Sequence, residues 1–170
     1  MLSAGDLDTS FGSVGMVLLP SQGIILASAM QSDGKAVLVG ETSSLNSSFL
    51  IERVTAAGAL DTTFGTNGVV TTSFADSAAA TSVAIESDGK IIVGGGDDLA
   101  RYNADGSLDT TFGTGGKVTA SAGSNINIQS LALGGDNGIV VAGRITIQDP
   151  AHPSDPNATL PGFTVARMAL

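Results

Sequence analysis

The chain has 170 residues, 23 of them Gly and none Cys or Trp, and its 7 Lys plus Arg against 16 Asp plus Glu give a formal net charge of -9. This composition excludes a disulfide scaffold, a thiolate metal site and a coiled coil, and a charged fraction of 14% argues against a mainly helical protein. The negative field repels phosphate backbones and anionic headgroups, so neither nucleic acid nor membrane insertion is expected, and no apolar run approaches the ~20 residues that span a bilayer.

In chain order, the first feature is Leu7-Asp8-Thr9-Ser10-Phe11-Gly12, followed by Gly15. No Lys or Arg precedes Lys35, so the pattern of a secretory signal is missing. A soluble protein is expected, either cytoplasmic or secreted with its signal already removed. Next come Asp33-Gly34-Lys35, the apolar run Val37-Leu38-Val39 closed by Gly40, and a segment from Phe49 to Val54 that carries Arg53. The series then restarts. Leu60-Asp61-Thr62-Thr63-Phe64-Gly65 and Gly68 lead to Asp88-Gly89-Lys90, Ile91-Ile92-Val93, Gly95 and Arg101. A third copy runs through Leu108-Asp109-Thr110-Thr111-Phe112-Gly113, Gly116, the degenerate Asp136-Asn137-Gly138, Ile139-Val140-Val141, Gly143 and Arg167. Self-similarity at a period near 50 marks one domain of three units, approximately 4–57, 58–105 and 106–170.

Spacing within the units is almost rigid. The turn Asp precedes the closing Gly by 7 residues in every copy, whereas the closing Gly precedes Arg by 13, 6 and 24. Length variation therefore collects in one connection, as expected of a solvated loop between paired strands. Val69-Val70-Thr71-Thr72 and Lys117-Val118-Thr119-Ala120 suit a first strand of each unit, and Asp-Gly between apolar runs suits a hairpin turn. The runs after that turn are apolar at successive positions and should be buried on both faces. The motif Leu and Phe, four apart around Asp-Thr-Thr, fit one helical turn capped by Asp61 or Asp109, with Leu7, Asp8 and Phe11 as the first copy of a corner between blades.

Four short strands per unit, with central strands covered on both sides, describe an all-β fold of β-propeller blades, three four-stranded antiparallel repeats. A β-solenoid is the alternative. At the motifs quoted, the chain resembles the delta-60 repeat family of bacterial tandem repeats, with its Leu-Asp-x-Thr-Phe-Gly-x-x-Gly, Asp-Gly-Lys and Phe-x-x-x-Arg landmarks. The resemblance implies a propeller-like fold and no particular chemistry. Propellers close with about four to eight blades, so three units are half of a ring. The last residues lead in phase into the first, which predicts a homodimer of half-propellers closing a six-bladed ring, the other reading being a fragment of a longer propeller.

Chemical constellations are sparse. The one His, His152, lies beside Pro153 in an insertion, approximately 147–162, that holds four of the five Pro residues. Asp149, His152, Asp155 and Asn157 make this loop the candidate ligand-binding lip, against a passive surface loop. No catalytic residues, metal ligands or cofactor are assigned. Gly34-Lys35 and Gly89-Lys90 lack the rest of a phosphate loop and read as hairpin turns. Asn103, Asp105, Ser107 and Asp109 alternate oxygens as a calcium loop does, but the sibling copy has Thr55, Ala57, Ala59 and Asp61, which favours a turn. Arg53, Arg101 and Arg167 recur in every unit and are expected to pair with repeat carboxylates or corner carbonyls rather than to line an anion site. The expected function is a non-enzymatic structural and interaction module that self-assembles and presents rim loops to a protein partner. A glycan-binding propeller is the second reading, weakened by the absence of Trp and a single Tyr, Tyr102, and a hydrolase with a central-channel site is the third.

Overall fold

A computed structural model describes residues 4–43, 45–76, 78–120, 126–135, 138–151 and 159–169. Its secondary structure is entirely β, as the β-branched and apolar runs require, with no helix among the described residues. The first sheet contains β1 (Gly23–Met30), β2 (Ala36–Thr42), β3 (Phe49–Val54) and β4 (Val69–Thr72) in that spatial order. The second contains β5 (Ser82–Ile85), β6 (Ile91–Gly95), β7 (Asp98–Tyr102) and β8 (Lys117–Thr119), again in order. The third has three strands among the described residues, β9 (Ile126–Leu133), β10 (Gly138–Gln148) and β11 (Thr159–Ala169). All neighbours are antiparallel, so each sheet is a meander.

The turn chemistry is local. Gln31 and Glu86 each open a loop in which their N–H donates to the carbonyl of Lys35 or Lys90, and Gly34 and Gly89 take the left-handed conformation at φ +82° and +88°. These are three-residue hairpins, and the glycine is required by its φ. The closing glycines answer a different need. A Cβ at Gly40 would fall on the carbonyl oxygen of Ile24 on β1, and one at Gly95 on that of Ala79 just before β5, so the second strand of each sheet lies there too close to backbone for a side chain.

Two expectations are corrected by the pairing. Val69–Thr72 and Lys117–Thr119 are the fourth strands of the preceding sheets, not the first strands of their own units, since Ile51 pairs with Val70 and Leu99 with Val118. The corner motif accordingly lies inside a sheet, between its third and fourth strands, and not between blades. It is a turn rather than a helical turn. The reason is a pair of backbone bonds that fold the chain back on itself, from Asp61 N–H to the Arg53 carbonyl at 2.8 Å and from Arg53 N–H to the Gly68 carbonyl at 3.1 Å. The fourth strands of the first two sheets each follow a corner motif, and the third sheet has three strands among the described residues.

The sheets stack face to face, giving two apolar layers. Val37, Val39, Phe49 and Ile51 meet Ile91, Val93, Ala100 and Tyr102 between the first and second sheets. Ile92 and Leu99 meet Ile126, Ile128, Leu131, Ile139 and Val141 between the second and third. β6 and β7 thus serve both layers and are buried throughout, which is why their sequences show no polar alternation. The long third connection is largely strand. β10 and β11 remain in continuous register from Gly138↔Ala169 to Gln148↔Thr159, so both ends of the insertion extend a hairpin. Pro161 is tolerated because β11 pairs on one side alone.

Candidate functional site: the ionic corners and the open blade face

The three landmarks of the repeat converge on one carboxylate per corner. Arg53 on β3 donates through Nε to Asp61 Oδ2 at 2.8 Å, and Lys35 from the hairpin turn places Nζ 3.1 Å from the same oxygen. The other oxygen, Oδ1, accepts the Thr63 hydroxyl at 2.6 Å and its N–H at 3.2 Å. The Arg53 guanidinium also lies over the Phe64 ring, 4.6 Å from its centroid, and donates to the Ala104 carbonyl of the next sheet at 2.6 Å. The second site repeats the first. Arg101 Nε reaches Asp109 Oδ2 at 2.9 Å, Lys90 Nζ lies at 3.3 Å, the Thr111 hydroxyl donates to Oδ1 at 2.6 Å, and the guanidinium covers Phe112 at 4.9 Å.

Burial and charge explain the choice of residues. Asp61, Arg53, Asp109 and Arg101 are all buried, and a buried charge must be paired and hydrogen-bonded to persist. The Thr63 hydroxyl foremost, then Lys35, the Thr63 N–H and the Arg53 charge hold the Asp61 carboxyl far below the usual carboxylate range, against the opposing effect of burial. Asp109 is lowered in the same way, chiefly by the Thr111 hydroxyl. Glu86 stands 4.0 Å from Arg101 and is shifted upward, mainly because burial disfavours its charged form. Arg53 and Arg101 pair with motif carboxylates, as the sequence reading expects of them. The contributions of the Lys of the Asp-Gly-Lys turn and of the motif Thr went unrecognised, although both residues recur at fixed spacing, and this recurrence was the available signal.

The first corner is built alike but placed differently. Phe11 N–H donates to the Asp8 carbonyl at 3.0 Å and Gly15 N–H to that of Phe11 at 3.0 Å, matching Phe64 to Asp61 at 3.0 Å and Gly68 to Phe64 at 2.8 Å. Asp8 accepts the Ser10 hydroxyl at 2.6 Å, as Asp61 accepts that of Thr63. Yet Asp8 is exposed, Leu7 is 59% exposed and Phe11 only half-buried, whereas Phe64 and Phe112 are buried and Leu60 and Leu108 half-buried. Arg167 occupies on β11 the position of Arg53 and Arg101, and its side chain is exposed.

The remaining candidates resolve into local structure. Asp105 accepts the Ser107 N–H and hydroxyl at 2.9 and 2.7 Å, and Asn103 donates to the Ser107 hydroxyl at 2.9 Å, so this oxygen-rich run is a turn. Among the described residues, no three or more His, Cys, Asp or Glu side chains are grouped to hold a metal ion. Tyr102 is wholly buried, with its hydroxyl donating to Thr72 Oγ1 at 2.8 Å, and offers no platform to a sugar. Asp149 caps a turn by accepting the Ala151 N–H at 2.8 Å, while His152, Asp155 and Asn157 lie outside the described residues. No described helix is long and apolar enough to cross a membrane.

Three stacked antiparallel meanders, the first and second each locked by a corner, are blades of a β-propeller that do not close into a ring. Residues 31–64 and 86–112 match the family model described as "Domain of unknown function (DUF5122) beta-propeller", so the first and second repeats are similar to that β-propeller family. Each matched segment runs from hairpin turn to corner Phe and so contains one complete Lys, Arg, Asp, Thr and Phe cluster. No curated protein and no solved structure matches the chain.

Proposed function

We propose that the chain is a non-enzymatic interaction module, a half-propeller that self-assembles and presents its rim loops to a protein partner. The observation that carries this reading is the outer face of the third sheet. Phe163 and Val165 on β11 correspond to Phe49 and Ile51 on β3, which are fully buried under the second sheet, but they are 92% and 74% exposed. At the other end, Met30 is 66% and Ile25 37% exposed, while their counterparts, Ile85 and Ala80 in the second unit and Leu133 and Ile128 in the third, pack into the layers between sheets. Two apolar end faces on one acidic chain are the pattern of an interaction surface rather than of a solvated one. Four of the cations are committed to the corners: Arg53, Arg101, Lys35 and Lys90 all bind motif carboxylates.

A second copy of the chain supplies both missing contacts at once, giving six blades in a twofold ring. Sedimentation equilibrium at micromolar concentration is expected to give twice the chain mass. A stable, folded monomer would overturn the reading.

A further inference from the structure

We propose that the two copies are clasped by strand exchange: the corner and following segment of one copy, Leu7 to Leu19, complete the third sheet of the other. This deepens the self-assembly reading and rests on it.

The argument starts from what a corner does where it is complete. It bonds twice, once backward to its own sheet and once forward to the next. Backward, Asp61 and Asp109 N–H groups reach the Arg53 and Arg101 carbonyls, and the Arg N–H groups reach the carbonyls of Gly68 and Gly116. Forward, Gly65 N–H donates at 2.8 Å to the Asp105 carbonyl in the turn after β7. The first corner already makes its forward bond within the chain, from Gly12 N–H to the Ala57 carbonyl at 2.9 Å in the turn after β3. Its backward half has no sheet among the described residues. Residues 17–19, which correspond to β4 and β8, belong to no strand, and Leu18 is 98% exposed.

The third sheet offers the matching half. Its edge strand β11 carries Arg167 at the position of Arg53 and Arg101, and the side of β11 away from β10 has no strand beside it among the described residues. Transferring the pairing of β3 with β4 and of β7 with β8 gives one register in both cases. Ala166 pairs with Met16 of the second copy, Val165 with Val17, Thr164 with Leu18 and Phe163 with Leu19. The same register brings Arg167 beside Asp8 of that copy, a cation and an anion in the geometry seen twice inside the chain. It also covers residues that stand exposed as a set: Leu7, Met16, Phe163 and Val165. Because the first corner is folded and held on the first sheet before any partner arrives, little ordering entropy opposes the docking.

The absence of native Cys allows a direct test. Leu18→Cys combined with Thr164→Cys is expected to oxidise to a disulfide-linked dimer, and Val17→Cys with Val165→Cys to do the same should the first pair fold poorly. The misregistered pair Leu18→Cys with Ala166→Cys is expected to cross-link at least tenfold less. A dimer by sedimentation that cross-links in neither registered pair, or equally well out of register, overturns the clasp and leaves self-assembly standing. A monomer overturns both. An additional readout is charge: Asp8→Arg and Arg167→Asp variants are each expected to lose dimer and to regain it when mixed, and no recovery on mixing counts against the pairing.

Discussion

The first and second corners share nearly one sequence and one set of turn hydrogen bonds, yet Asp8 lies in solvent and Asp61 is buried between two cations. The turn is therefore a local property of Leu-Asp-x-(Ser/Thr)-Phe-Gly, whereas its ion cluster is a property of the sheet behind it. A carboxylate with only its neighbouring hydroxyl is a turn residue. The same carboxylate given Arg from the third strand and Lys from the hairpin ties three segments of a blade together.

The largest test of this contrast is aromatic. Truncating Phe64 to Ala is expected to cost about 3 to 5 kcal/mol in denaturant unfolding, because the ring is wholly buried in the first layer and stacked on Arg53. Phe11→Ala should cost less than about 1 kcal/mol in dilute protein, since that ring is only half-buried. Equal costs would mean that the two corners are energetically alike and the contrast false.

Removing the arginine comes next. Arg53→Ala leaves Asp61 with Lys35 as its one cation and opens the acceptor at Ala104, so unfolding free energy is expected to fall by about 3 kcal/mol. Arg53→Lys should recover little, because one ammonium cannot serve Asp61, Ala104 and the Phe64 face together. A loss below about 1 kcal/mol would reduce the cluster to a surface pair.

Acid provides the mildest perturbation. The folded chain holds Asp61 and Asp109 far below the usual carboxylate value, so below about pH 4 the unfolded chain binds more protons and stability rises with pH across that window. Their contribution is complete above about pH 4 and is lost as pH falls toward the folded values. Glu86 acts oppositely, since its folded value is raised and its burial is eased by protonation. Unfolding curves measured on dilute protein from pH 5 down to pH 2 should therefore steepen for the parent chain and flatten for Asp61→Asn, with Asp8→Asn in the same dilute protein resembling the parent; an unchanged slope in Asp61→Asn would show that the cluster does not couple folding to pH.

Legibility in the sequence followed range. The hairpins at Asp33-Gly34 and Asp88-Gly89 were readable because a left-handed glycine and an Asp side chain settle a turn within five residues. The doubly buried character of Ile91-Ile92-Val93 was readable from the lack of alternation. The sheet to which Val69–Thr72 belongs was not, since nothing in a short β-branched run tells whether it pairs forward or back. Nor was the role of Lys35, which stands 26 residues before the carboxylate it binds and resembles any solvated turn lysine. The wide gap from Gly143 to Arg167 read as a loop, because Pro161 masks an edge strand that tolerates it.

Local turns, strand periodicity and the threefold repeat were thus contained in the order of the residues, because each depends on backbone preferences over a few positions. The assignment of the fourth strand, the convergence of Lys, Arg and Asp on one corner, and the exposure of one corner but not its sibling arose only in three dimensions. Those features depend on which sheet lies behind a given turn, and identical turns can stand before a complete sheet or an open edge.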